Sequence, residues 1–247
     1  MKMTIVIPVY NSMAYIEECL KSALNQDYLD YEILAYDNES TDGSYEWLIE
    51  QESQHEILHV KQLPNIHPNS YREAFDKSFQ EAQGGYLTFL SSDDFFAPDY
   101  ISNCMKIIAH APDQIKCLQS GIVGVNGGQI VDSQIHFYKN MSEFKAQCMT
   151  RSPVNTPTVV YRVDLYPLIQ EAREAHEHYG LLDCGAGDYD MWCGLLERNI
   201  FIYPVNICLG YYYRWHEGQC TWKVHAQKQE MDYDKMIQDY WKNKWTS

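Results

Sequence analysis

The stretch Thr4-Ile-Val-Ile-Pro8-Val9 is an apolar, β-branched run without polar alternation, the pattern of a strand buried on both faces. Such a strand needs helices above and below it, and the residues that follow supply them. Tyr15/Ile16, Cys19/Leu20 and Ala23/Leu24 recur at helical spacing, so a helix is expected from Ser12 onward. A second strand over 31–36 ends in the polar loop Asp37-Asn-Glu-Ser-Thr-Asp-Gly-Ser44, and a helix carrying Trp47 and Leu48 comes next. A third strand is expected near 57–63. Ser70-x-x-Glu73 has capping-box spacing, and the helix it opens stops at Gly84-Gly85. Tyr86-Leu-Thr-Phe-Leu90 is the next strand, and it runs into Ser91-Ser-Asp-Asp94 before Pro98-Asp99 starts another helix.

This β-α-β-α order implies right-handed crossovers and an α/β fold with a mostly parallel sheet flanked by helices. In such sheets ligands bind outside the carboxyl ends of the strands. Polar segments fall at those ends: Tyr10-Asn11, Asp37-Asn38 and Asp93-Asp94. The second half is less regular. It offers a strand over 157–161, helices over 163–176 and 189–198, and a strand over 200–205, while 124–128 reads as a loop.

At 247 residues the chain is one large domain or two small ones, long enough to bury a core without staples. Its 34 Asp and Glu against 19 Lys and Arg give a net charge of −15, which excludes a phosphate-neutralising nucleic-acid surface. Acidity at a strand end has a sharper meaning. Adjacent carboxylates such as Asp93 and Asp94 repel each other in a cleft, and a hard divalent cation, Mg²⁺ or Mn²⁺, is the usual way to keep both ionised. Capping of the following turn is the competing reading. No G-x-x-x-x-G-K-[ST] phosphate loop is present. The eight cysteines contain no C-x-x-C pair and read as reduced, mostly buried thiols. The apolar start is interrupted at Pro8, too short for a signal peptide, and no window approaches a membrane span. A cytoplasmic protein is expected.

Five motifs in order carry a family resemblance. They are Thr4-Ile-Val-Ile-Pro-Val-Tyr-Asn11, Glu32-Ile-Leu-Ala-Tyr-Asp-Asn-Glu-Ser-Thr-Asp-Gly-Ser44, Ala82-Gln-Gly-Gly-Tyr-Leu-Thr-Phe-Leu-Ser-Ser-Asp-Asp94, Gly187-Asp-Tyr-Asp-Met-Trp192 with Leu195-Leu-Glu-Arg198, and Tyr213-Arg-Trp-His-Glu-Gly218. The chain resembles a family 2 glycosyltransferase: inverting, dependent on a nucleotide sugar, and built on a single Rossmann-like domain of the GT-A type. The resemblance implies that Pro8, Val9 and Tyr10 line the donor base, and that Asp37 and Asn38 contact base and ribose. It implies ribose or metal contact for Ser92 and Asp93, and direct metal ligation on the diphosphate for Asp94. His216 would ligate the metal or bond the diphosphate. Asp188 would be the general base, taking the acceptor's proton as it attacks the anomeric carbon. Asp190, two residues on, is its competitor, and an N-cap is the structural alternative for Asp188. At the position of Ser91 the family often has Asp.

The donor implied is a nucleoside diphosphate sugar, UDP-sugar first, with Mn²⁺ or Mg²⁺, and the acceptor a glycan or lipid-linked glycan. A catalytically silent nucleotide-sugar-binding module is the alternative that Asn38 and Ser91 keep open. A sugar-1-phosphate nucleotidyltransferase would need a Gly-rich basic first loop where this chain has Tyr10-Asn11-Ser12-Met13. The expected division is a transferase domain over 1–223 and an amphipathic helix within 224–247, with Tyr233, Ile237, Tyr240, Trp241 and Trp245 on one stripe. Docking of that stripe on the domain is preferred. Its aromatic and basic end is also of the kind that rests peripherally on a membrane.

Overall fold

Strand β1 (Met3–Val9) pairs in parallel with β2 (Tyr31–Asp37) on one side and β4 (Tyr86–Phe89) on the other, and β3 (Leu58–Gln62) adds in parallel beyond β2. The computed structural model describes residues 1–66, 70–174, 187–219 and 232–247. Helices α1 (Ile16–Leu24), α2 (Ser44–Glu52) and α3 (Ser70–Glu81) make the crossovers. The period-two geometry of a strand explains why β1 is apolar throughout. Ile5, Ile7 and Val9 pack with Ile16, Cys19 and Leu20 of α1 and with Ile101, Cys104 and Met105 of α4 (Tyr100–His110). Val6 faces the opposite way, joining Leu34, Leu87 and Phe89 with Ala74, Phe75 and Phe79 of α3.

Beyond β4 the sheet becomes mixed. Strand β8 (Val160–Arg162) runs antiparallel to β4 and to β6 (Cys117–Asn126), and β9 (Ile202–Arg214) runs parallel to β6. The two-residue β5 (Phe95–Phe96) closes the edge antiparallel to β9, and β7 (Gln129–Gln134) folds back on β6. The order is β3-β2-β1-β4-β8-β6-β9-β5, with β7 branching from β6. Parallel order therefore holds where helical crossovers intervene. It fails beyond β4, where β8 enters antiparallel between β4 and β6, both far from it in sequence, and only β6 and β7 are joined by a tight hairpin. The expected loop at 124–128 is in fact the end of β6 and a tight hairpin turn. Gly127 and Gly128 sit at φ 55° and 80°, the two positive φ values of a type I′ turn, and Asn126 pairs with Gln129.

Helices α5 (Met141–Cys148), α6 (Tyr166–Glu174), α7 (Gly187–Glu197) and α8 (Tyr233–Thr246) complete the described elements. The helix expected from Ser12 begins at Ile16, because the Ser12 carbonyl first accepts the N–H groups of Tyr15 and Ile16 in a turn. The helix expected over 163–176 opens as a 3-10 turn, Val163–Leu165, before α6, and positions 175 and 176 lie outside the described residues. So do the expected domain boundary at 223/224 and the first part of the tail. Helix α8 buries Ile237 and Trp241 in the α3–α7 core, with Tyr233, Tyr240 and Trp245 packed against it, so the aromatic stripe faces protein. No described helix is long and apolar enough to cross a membrane. The six described cysteines are free, and all but Cys208 are buried.

Candidate active site

The loops after β1, β2 and β4 are tied to one another at the carboxyl edge of the sheet. Asn11, at φ 48°, donates its N–H to Ser40 Oγ (2.9 Å) and accepts from the Thr41 N–H at Oδ1 (2.8 Å). The Ser12 N–H donates to Ser44 Oγ (3.0 Å), and the Ser12 and Ser92 hydroxyls share a hydrogen bond of 2.6 Å. These bonds bring together most of the residues singled out for a donor nucleotide. Pro8 and Val9 end β1 in register with Tyr36 and Asp37, and the Asn38 N–H donates to the Val9 carbonyl (2.8 Å). Tyr10 projects outward with half its surface exposed. Asp37 is fully buried. Its Oδ2 accepts from the Ser40 N–H (3.0 Å) and Gln62 Nε2 (3.4 Å), while its Oδ1 is buried without a partner.

Asp93 and Asp94 part company. Asp94 turns inward, and its carboxylate accepts from Tyr211 Oη and from the Arg214 N–H, each at 2.8 Å. Burial first, and the Asp93 charge second, push its pKa well above the usual carboxylate range. Asp94, expected as the direct metal ligand, has each of its oxygens hydrogen-bonded to β9. Asp93 is the partly exposed member, with Oδ2 3.0 Å from His216 Nε2. The His216 ring rests on Tyr15 at 4.6 Å between centroids. Arg214 proves to be a clasp. Nε donates to the Asp93 carbonyl (2.7 Å), Nη2 pairs with Glu18 (2.6 Å), and the guanidinium lies over Tyr15 and Phe95. Among the described residues no group of three or more His, Cys, Asp and Glu side chains is arranged to hold a metal alone. Asp93 and His216 make an oxygen and nitrogen pair that fits a cation sharing its remaining positions with phosphate and water.

Asp188 stands apart from this edge, in the first turn of α7, on the wall of a cavity of about 800 Å³. Thr156 Oγ1 donates to its Oδ2 (2.5 Å), and the Tyr189 N–H donates to its Oδ1 (2.8 Å). Trp192 Nε1 in turn donates to Thr156 Oγ1 (3.2 Å), fixing the hydroxyl. Burial raises the Asp188 pKa, and its two hydrogen bonds only partly oppose this. A helix N-terminus favours the ionised form and would weaken a base. Here desolvation wins, which suits proton abstraction. Asp190 is buried and accepts from Trp241 Nε1 of α8 (2.6 Å), so it anchors the tail. Ser91, Tyr213 and Trp215 also line the cavity, whereas Asp93 and His216 lie beyond its wall. Trp192 is core, fully buried and stacked on Tyr161.

The glycosyl transferase family 2 profile matches residues 4–165, about two thirds of the chain. The chain belongs to glycosyl transferase family 2. It is 26% identical over 206 residues to a chondroitin synthase of Pasteurella multocida, covering 83% of this chain and 20% of that protein. It is 23% identical over 241 residues to the putative teichuronic acid biosynthesis glycosyltransferase TuaG of Bacillus subtilis, covering 94% of this chain and 90% of the relative. Among solved structures, S. aureus TarS in complex with UDP superposes with a TM-score of 0.66 at 21% identity, covering 98% of this chain and 69% of that one. That likeness supports the GT-A fold. The chain spans about a fifth or less of the length of the first curated relatives it matches, and nearly all of TuaG.

Within the family 2 chain, residue-level reading missed the partners that decide each role. Thr156 lies 32 residues from Asp188, and Tyr211 lies 117 from Asp94, so no local pattern announces either contact. The β6–β7 hairpin, which brings its own residues to the cavity, did carry a signal: Asn126-Gly127-Gly128 is a favoured type I′ sequence.

Proposed function

We propose that this chain transfers a sugar from a nucleoside diphosphate sugar, with UDP as the preferred nucleotide, to a hydroxyl of a glycan or lipid-linked glycan with inversion at the anomeric carbon. The observation that carries the reading is Asp188, a carboxylate with a raised pKa on a cavity wall, held by Thr156. In the step, the acceptor oxygen bonds to the anomeric carbon as the bond from that carbon to the diphosphate oxygen breaks. The acceptor proton passes to Asp188, and the electron pair leaves with the diphosphate. Asp37 and Asn38 hold the nucleoside, and Tyr10 offers an aromatic face to the base. Asp93 and His216 would hold a Mn²⁺ or Mg²⁺ ion, backed by Asp94. When bound, such an ion stabilises the charge developing on the departing diphosphate.

Support for uridine comes from the TarS fold match solved with UDP, and support for a glycan acceptor from the names of the chondroitin synthase and TuaG relatives. We read the transferase domain as 1–223 with α8 as its docked tail. The test is nucleotide release from a panel of UDP-glucose, UDP-GlcNAc, UDP-glucuronate and GDP-mannose, with Mn²⁺ and with EDTA. Release of UDP that EDTA abolishes and Mn²⁺ restores is expected. Full activity in EDTA would remove the cation from the reading, and release from none of the donors would overturn the activity.

A further inference from the structure

His136 stands on the cavity wall, and the transfer step gives it no task. His136, just after β7, lines the cavity at 6% exposure and has no hydrogen-bond partner among the described residues. Arg173 of α6 lines the same cavity at 8% exposure. Its Nη2 pairs with Asp76, and its Nε is closed off from the cavity. Most buried polar groups in proteins are hydrogen-bonded, so a nearly buried, uncommitted imidazole on a cavity points to a polar ligand.

The wall is also fixed relative to Asp188. Asn155 Nδ2 donates to the Gln134 carbonyl and to the Ser120 carbonyl, each at 3.0 Å. Gln134 lies two residues before His136, and Thr156, next to Asn155, holds Asp188. The end of the hairpin and the partner of the base are thus joined through one side chain. Desolvation, with the Arg151 charge behind it, pushes the His136 pKa down to about 4. At neutral pH the ring is uncharged, with one nitrogen donating and the other accepting. A sugar hydroxyl also donates and accepts, whereas an anion would find only one donor on this ring.

We propose that His136 forms a sugar-recognition subsite that hydrogen-bonds a ring hydroxyl of a bound sugar and positions it against Asp188. The proposal rests on the transferase reading and makes His136 a positioning residue. The hydroxyl belongs either to the transferred sugar or to the terminal sugar of the acceptor.

The experiment uses the full chain carrying His136→Leu or His136→Gln. Thermal unfolding comes first. Leu removes an orphaned polar group, so Tm stays level or rises, whereas a loss of several degrees would mark His136 as a structural core residue and overturn the subsite. Titration calorimetry with UDP and with the UDP-sugar hydrolysed best by wild type comes second. About tenfold weaker UDP-sugar binding in His136→Leu, the worth of one hydrogen bond, with UDP binding unchanged, identifies the transferred sugar. Unchanged donor binding with a similar rise in KM for an oligosaccharide acceptor identifies the acceptor sugar. In either case His136→Gln, which keeps a donor and an acceptor, recovers part of the loss. Wild-type behaviour of His136→Leu in both arms overturns the subsite alone. Absence of any nucleotide binding by wild type overturns the transferase reading and the subsite with it.

Discussion

Two carboxylate pairs sit in different regions of this molecule, and each is divided in the same way. At the sheet edge, Asp94 is turned inward to Tyr211 and Arg214 while Asp93 faces His216. At the start of α7, Asp190 is turned inward to Trp241 while Asp188 faces the cavity with Thr156. The inward member in both cases ties a distant element to the site: β9 at the edge, α8 behind the cavity. The outward member is left for chemistry. The difference lies in what surrounds it. Asp93 has a histidine beside it and a second carboxyl group next to it in the chain, a setting for a cation. Asp188 has a hydroxyl and an apolar wall, a setting for a proton.

The division breaks first at Asp188. Asp188→Asn keeps the shape but cannot take a proton, and kcat for transfer should fall by about 10²–10⁴-fold, the usual worth of a general base, with UDP affinity unchanged by calorimetry. Asp190→Asn should behave oppositely, leaving kcat within a few-fold and lowering Tm. Transfer by Asp188→Asn near the wild-type rate would exchange the two roles. Next in size is the anchor of α8. Trp241→Ala opens a cavity at a fully buried indole and removes its hydrogen bond to Asp190, at a cost of about 3–5 kcal/mol by urea unfolding. At the sheet edge, Tyr211→Phe strips one donor from buried Asp94, a cost of about 1–3 kcal/mol. If Tyr211→Phe costs nothing in stability yet raises the Mn²⁺ requirement, Asp94 belongs with the ligands rather than the scaffold.

How much of this was legible follows the range of the interactions. Strands β1, β2 and β4 and the helices between them were readable because each buries its own apolar run or stripe within a short span. Strand β7 was not, since every one of its residues is exposed and no hydrophobic period marks it. Strand β9 was read as ending at 205 but runs to Arg214, because its pairing with β6 shifts register twice and Gly210, at φ 111°, interrupts the pattern. Gly210 is needed there, as a Cβ would meet the Ala97 Cβ at 2.5 Å. Of the site residues, both acidic pairs were found by type and position. Which member turns inward is not written locally, because Tyr211 and Trp241 decide it from far along the chain; the preference for Asp188 over Asp190 comes from the family resemblance. Spacing of one or two residues cannot encode that choice.

The smallest effect tests the comparison most finely. Thr156 stabilises the ionised form of Asp188 by donating to Oδ2, so it lowers a pKa that burial has raised. The proposed transfer uses the carboxylate as base, so the acid limb of kcat should lie above the range of an ordinary exposed Asp. Thr156→Val keeps the shape and removes the donor, so the pKa rises further and the limb moves to higher pH. The loss of rate is then concentrated on the acid side and shrinks as rising pH ionises Asp188 in both proteins. It also strands Trp192 Nε1, which donates to the same hydroxyl, so some stability is lost at every pH. Thr156→Ser retains the donor and should hold the limb where wild type has it. A limb that moves in neither variant would mean that the group titrating in the profile is not Asp188, and the sheet-edge pair would become the one that governs the proton as well as the cation.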